Sequence, residues 1–331
     1  MRRRDFIGLL GAGAAALPMH PARAAQPNAR RIGFLSGIAE TDVQARQLVE
    51  AFREGLQENG WTEGRNLKIE FRWAAADLDR TNRYAKELVD LKPDLVVAHA
   101  TPAAAALHRA TSAIPIVFVV VSDPIGSGFV SSLSRPGGNL TGFVNLEASM
   151  GTKWIELANE IAPRLKRVAV VFNPDTAPYA YYEPALKAAA QQHSVELVEA
   201  PLHEVAEIEA ALGRLDLAAD GGIVVMPDVF TSSREVYGRI IAIAAQNRIP
   251  AVYPYRYMAN AGGLMSYGTD NNDLFRRAAA YVDRILKGAR PAELPVQLPT
   301  KFEFILNAKT AQQAGFDIPL KLRAFADDVI E

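Results

Sequence analysis

The 331-residue sequence contains no cysteine and only five histidines. The missing cysteine excludes disulfides, a thiolate nucleophile, cysteine-ligated metal and a lipid-modified N-terminal cysteine. The histidines are His20, His99, His108, His193 and His203, and none forms an i,i+4 pair or a carboxylate cluster of the kind that marks a metal site. A P-loop, a G-x-S-x-G nucleophile elbow and an S-x-x-K with a usable partner are equally missing. No metal and no cofactor is therefore expected. Basic and acidic residues nearly balance, 36 against 37, with no basic tract. That balance argues against nucleic acid or an anionic membrane surface as partner.

What is present begins with an export address. Arg3-Arg4-Asp5-Phe6-Ile7 is close to the twin-arginine pattern and opens onto an apolar stretch from Leu9 to Leu17. The stretch is far shorter than the ~20 residues a spanning helix needs. A small-x-small site, Ala22-Arg23-Ala24, follows it, so residues 1–24 are expected to be a cleaved signal and the mature chain to work in the periplasm. Without that segment, which holds four arginines and one aspartate, 32 basic and 36 acidic residues remain. Gly11-Ala12-Gly13 within it imitates a dinucleotide-binding fingerprint, but no strand precedes it.

From Arg31 onward short β-branched runs alternate with helical patterns. Arg31–Ser36, Leu67–Trp73, Asp94–His99 and Pro115–Val121 are expected strands, separated by helices over Asp42–Asn59, Asp79–Leu91 and Pro102–Ser112. Runs such as Ile116–Val121 are apolar on both faces, as in a parallel sheet covered by helices. This four-stranded unit ends near Asn145. The glycine-rich Ser134–Gly142 lacks the lysine of a phosphate cradle and is read as a tight turn into a crossover.

The alternation then restarts. Strands are expected at Arg167–Phe172, Glu196–Glu199, Gly222–Met226, Ala251–Tyr253 and Gly263–Ser266, with helices at Lys153–Ile161, Tyr181–Gln192, Val205–Leu212 and Ser233–Gln246. A helix over Asp273–Lys287 stops at Gly288. A strand at Thr300–Leu306 and a helix at Ala308–Ala314 follow. Two α/β units with such a tail imply a chain that crosses between them several times, which makes a hinge and a cleft. The expected lobes are residues 30–145 with a return near 269–297, and 146–268 with the remainder from near 298 to 331.

Ligands of open parallel sheets bind beyond the carboxyl ends of the strands. Those ends offer Ser36, Thr101 with Pro102 at a helix start, Ser122 and Asp123 on the first unit. On the second they offer Asn173, Asp228, Tyr253 and Tyr267, and Tyr179 joins them from a helix start. Helix-start amides favour a carboxylate, an aspartate accepts from an ammonium group, and tyrosine rings form flat apolar walls. The set suits a small zwitterion or an aromatic acid. An exported α/β hydrolase or isomerase using Asp228 or His99 is the enzymatic alternative.

Ser122-Asp123-Pro124 with Gly128, the block Arg135-Pro136-Gly137-Gly138-Asn139-Leu140-Thr141-Gly142, and Tyr267-Gly268-Thr269-Asp270 followed by Ile285-Leu286-Lys287-Gly288 and Leu294-Pro295-Val296 together resemble the substrate-binding proteins of ABC transporters. The branch is the one that includes tryptophan- and tyrosine-type binders. The resemblance spans residues 30–320. It implies two Rossmann-like lobes joined by a hinge, closing on a small carboxylate-bearing ligand without chemistry. An aromatic or branched amino acid, or an aromatic acid, would be that ligand. The implied partner is an ABC permease in the inner membrane, served by a monomer that does not itself enter the membrane. A ligand-presenting sensor for a chemoreceptor or kinase is the other use of the same architecture.

Overall fold

A computed structural model describes residues 29–331 apart from 216, 218 and 219; the signal expected over residues 1–24 lies outside the described residues. The first sheet is built from β1 (Arg30–Ser36), β2 (Leu67–Trp73), β3 (Leu95–His99), β4 (Ile116–Val121) and β5 (Leu140–Val144), in the order β2-β1-β3-β4-β5. Every pairing in it is parallel. Between the strands run α1 (Val43–Glu58), α2 (Leu78–Asp90) and α3 (Thr101–Ala110). β3 and β4 are buried along their whole length, which is why both faces of each had to be apolar.

Strand β5 corrects the four-stranded expectation. Gly142 sits inside it and disguises the pattern as a turn. The glycine is required, because a Cβ there would lie 1.9 Å from the Phe118 carbonyl oxygen on the paired strand. The turn itself is shorter than expected and is held by the Asn139 amide, which donates to Ile114 O at 2.8 Å.

The second unit comprises α4 (Met150–Ile161), β6 (Arg167–Phe172), α5 (Tyr179–Gln192), β7 (Glu196–Pro201), α6 (Ile208–Gly213), β8 (Gly221–Val225), α7 (Arg234–Gln246), β9 (Ala251–Tyr253), α8 (Arg256–Asn260) and β10 (Met265–Thr269). After α9 (Asn271–Leu286) come β11 (Phe302–Asn307), α10 (Ala308–Ala314), α11 (Leu320–Phe325) and β12 (Asp328–Ile330). The sheet order is β12-β11-β10-β9-β8-β6-β7.

This second sheet is mixed, which corrects the expectation of two wholly parallel sheets: β11 runs antiparallel to β10. The reason is topological. β10 ends at the side where the chain leaves for α9, and β11 begins where the chain returns, so the two strands start from opposite ends. α9 itself packs on the first sheet, where Leu274, Phe275 and Val282 join Phe34 and Phe52 in one core. Gly55 of α1 makes that approach possible, since a Cβ would meet Arg276 O at 2.4 Å. The chain thus crosses between sheets after β5, after β10 and before β11. The segments lie side by side: Val144 N donates to Gln297 O at 2.8 Å, and the Thr269 hydroxyl donates to Asn145 Oδ1 at 3.3 Å.

Candidate functional site

The carboxyl ends of β1, β3 and β4 face those of the second sheet across a narrow cleft with an enclosed volume of about 30 Å³, room for no more than a few waters. The first lobe lines it with Ile38, Gln44, Leu48, His99, Thr101, Pro102, Val120 and Ser122. The second contributes Thr176, Pro178, Asp228, Ser232, Tyr255 and Tyr257, while Asn145 and Asn271 come from the crossovers.

The first wall is built on strained backbone. Ala100, between β3 and α3, has φ 76° and ψ 161°, a region otherwise reserved for glycine. It leaves the start of α3 without a side-chain cap, and Pro102 occupies the first turn. Thr101 Oγ1 accepts from Ser122 N at 3.3 Å and so ties α3 to the end of β4. Val120 has φ 60°, rare for a β-branched residue, at a bulge where the register with β5 shifts. Both strained residues line the cleft.

Asp228 is the charged centre of the opposite wall. Its Oδ1 accepts from Phe230 N at 2.6 Å, Thr231 N at 2.9 Å and the Thr176 hydroxyl at 3.3 Å, and its Oδ2 accepts from Asn173 N at 3.3 Å. Burial nevertheless pushes its pKa up to about 6, so it is a carboxylate at neutral pH. Beside it Tyr255 and Tyr257 stack with centroids 5.6 Å apart and planes 18° apart, and Tyr237 meets Tyr257 edge-on. The Tyr255 hydroxyl accepts from Asn145 Nδ2 at 2.9 Å, joining an aromatic wall to a crossover. His99, on the first lobe, is pushed down to about 4 by burial and is a neutral imidazole.

Of the residues nominated from strand ends, Thr101, Pro102, Ser122 and Asp228 line this cavity. Ser122 also bonds the Tyr182 hydroxyl at 2.9 Å across the lobes. The others lie elsewhere. Ser36 is buried against His99, its Oγ 3.2 Å from Nδ1. Asp123 closes a local turn by accepting from Gly126 N at 2.8 Å. Asn173 orders the loop after β6 by accepting from Asp175 N at 2.9 Å. Tyr179 stacks on Phe172 at 4.3 Å, Tyr253 is core, and Tyr267 stacks on Phe302. The lining residues not nominated include Tyr255, Tyr257, Asn145 and Asn271, and also Gln44, Thr176 and Ser232. Tyr255 stands two positions after Tyr253, and only the end of β9 distinguishes a core tyrosine from a cleft one.

The two buried titrating groups oppose each other. Asp228, with its folded pKa raised, adds stability that is full below its unfolded value and fades as pH rises through about 6. His99, with its folded pKa lowered, adds stability that is present above its unfolded value and fades as pH falls toward about 4. In Asp228→Asn the opposing slope of the aspartate is gone, while that of His99 and those of carboxylates held below their usual range, such as Glu70 and Asp270, remain. Urea melts of that variant should therefore gain stability steadily from pH about 4 to about 6.5, by ~2 kcal/mol, while the parent stays flatter. Equal slopes in both proteins would refute this assignment.

A family model for ABC transporter substrate binding proteins matches residues 37–330. A tyrosine-binding protein of Clostridioides difficile (strain R20291) is 28% identical over 264 residues, 79% of this chain and 74% of the relative. Among crystal structures, a conserved domain protein of Vibrio cholerae O1 biovar El Tor str. N16961 is 29% identical, with a TM-score of 0.85 over 91% of this chain and 100% of that one. An ABC domain of Streptococcus pneumoniae in complex with L-Trp is 26% identical, with a TM-score of 0.84 over 92% of this chain and 100% of that one.

Proposed function

The chain belongs to the ABC transporter substrate-binding protein family, and from that premise we propose that it is the periplasmic receptor of an importer for an aromatic amino acid. The observation that carries the reading is the cleft itself. One cavity holds a stacked tyrosine pair, a buried carboxylate held by four protein donors, and a helix start without a side-chain cap. An ammonium group fits the carboxylate, a carboxylate fits the helix amides, and a flat ring fits the tyrosines. The relatives described as tyrosine-binding and as L-Trp-bound support the same ligand class.

In this reading the lobes close on the ligand about the three crossovers and hand it, chemically unchanged, to membrane permease subunits. Asp228 serves as a fixed acceptor, since its protein donors already hold both oxygens, and it is not the free base a hydrolase would need. A thermal-shift panel of proteinogenic amino acids tests the reading. Ligand at about a hundred times its Kd should add ~2.7 kcal/mol and raise Tm by about 5 °C. L-Tyr and L-Trp are expected to give the largest shifts. A panel in which no aromatic amino acid raises Tm would overturn the proposal.

A further inference from the structure

His99 occupies an unusual place for a structural histidine. It ends β3 inside the apolar part of the cleft, among Ile38, Leu48 and Val120, with its ring edge-on to Phe275 at 5.2 Å. Its Nδ1 is engaged by the Ser36 hydroxyl at 3.2 Å. Its Nε2 has no protein partner among the described residues, and it is not sealed away in the interior. The ring is therefore fixed at one nitrogen and offers the other to whatever enters the cavity.

We propose that the Ser36–His99 pair is a specificity device that reads the ring edge of an aromatic ligand, selecting rings that carry a polar atom over a plain phenyl ring. This rests on the aromatic amino acid reading above and deepens it. The chemistry follows from the serine rotor. When the Ser36 hydroxyl donates to Nδ1, Nε2 carries the proton and donates to a phenol oxygen. When Ser36 accepts from Nδ1–H, Nε2 is a bare acceptor and takes the N–H of an indole. The neutral imidazole reaches both states without changing charge. A phenyl ring supplies neither partner and would leave a desolvated ring nitrogen unpaired, which is the condition under which a hydrogen-bonding site rejects an isostere strongly. Tyrosine and tryptophan are thus accepted by one pair of residues, and phenylalanine is refused.

The test is calorimetric titration of L-Tyr, L-Trp and L-Phe into the parent, His99→Leu and His99→Gln. The parent should bind L-Tyr at least ~10-fold more tightly than L-Phe. His99→Leu should bring the two within about threefold by weakening L-Tyr while L-Phe holds or gains, which a merely structural role would not do. His99→Gln keeps a donor and an acceptor and should retain part of the preference. A parent that binds L-Phe as tightly as L-Tyr overturns the proposal whether or not the variants fold, and so does an unchanged ratio in His99→Leu. If none of the three ligands binds the parent, the receptor reading falls as well, so the two failures are told apart.

Discussion

Gly142→Val is expected to abolish cooperative folding, and Gly142→Ala to cost more than about 4 kcal/mol, a range reached only when a named structural feature is destroyed. A Cβ at this position would lie 1.9 Å from Phe118 O and 2.7 Å from Phe118 N, both rigid backbone atoms of the neighbouring strand. No side-chain rotation relieves such a contact. β5 would have to leave β4, losing the parallel ladder between them. The bonds that flank the ladder would be disturbed with it: Ile116 N to Asn139 O, Asn145 N to Val121 O and Gln297 N to Gly142 O. The last two belong to the crossovers, so the lesion would reach the hinge as well as the sheet. Gly138→Ala is the matched control, because a Cβ there meets nothing within 4 Å. Urea unfolding should separate the two variants by several kcal/mol, and a Gly142→Ala protein that melts like its parent would refute the account of β5.

Asp228→Ala should reduce affinity for the preferred aromatic amino acid by more than about 100-fold and lower stability by ~2–4 kcal/mol. The stability loss follows from the four donors that converge on one buried carboxylate and would be orphaned together. The affinity loss follows from removing the one carboxylate that lines the cleft among the described residues. The two effects separate in Asp228→Asn, which keeps the shape and one acceptor oxygen. It should fold with a smaller penalty and still fail to hold an ammonium group. Because burial places this carboxyl at about 6, affinity in the parent should fall as pH drops below that value, with a proton released on binding. Titration calorimetry in two buffers of different ionisation enthalpy measures that proton directly. A pH-independent affinity across this range would show that Asp228 does not meet the ligand's charge.

The architecture was legible wherever period and composition agreed. Runs that are apolar on both faces, such as Arg167–Phe172 and Ile116–Val121, allow little besides a central parallel strand. The 3.6-residue periodicity of Val43–Glu58 allows little besides a helix over a sheet. What stayed hidden broke one of those agreements for a tertiary reason. Gly142 breaks β5 because Phe118 stands where a side chain would go. α11 leaves Leu320 86% exposed and Phe325 67% exposed, so its apolar residues do not form a one-sided stripe. β12 is only three residues long and pairs with a strand of the tail alone.

The cleft was legible in outline and not in parity. The rule that ligands gather at strand ends brings Thr101, Pro102, Ser122 and Asp228 to one cavity. It says nothing about which neighbouring residues turn inward. Ser36 lies on the correct strand end yet is taken up by His99, and Asp123 lies one residue too far and closes a turn. Tyr253 and Tyr255 share one core with Val236 and Ile240 of α7, and only Tyr255, beyond the end of β9, also reaches the cavity. The crossover residues Asn145 and Asn271 carry no sequence signal at all, since their role exists only once distant segments meet.

The cysteine-free sequence allows the central claim to be measured without background labelling. Val43, 54% exposed at the start of α1, and Glu235, exposed at the start of α7, flank a groove between the lobes lined by Asp42 and Glu235. With spin labels on Val43→Cys/Glu235→Cys, pulsed dipolar spectroscopy reports the interlobe distance with and without saturating L-Tyr or L-Trp. The account predicts a broad, longer distribution in the free protein that collapses to one shorter distance when ligand binds. A distribution that stays the same while ligand is demonstrably bound would contradict closure around the crossovers.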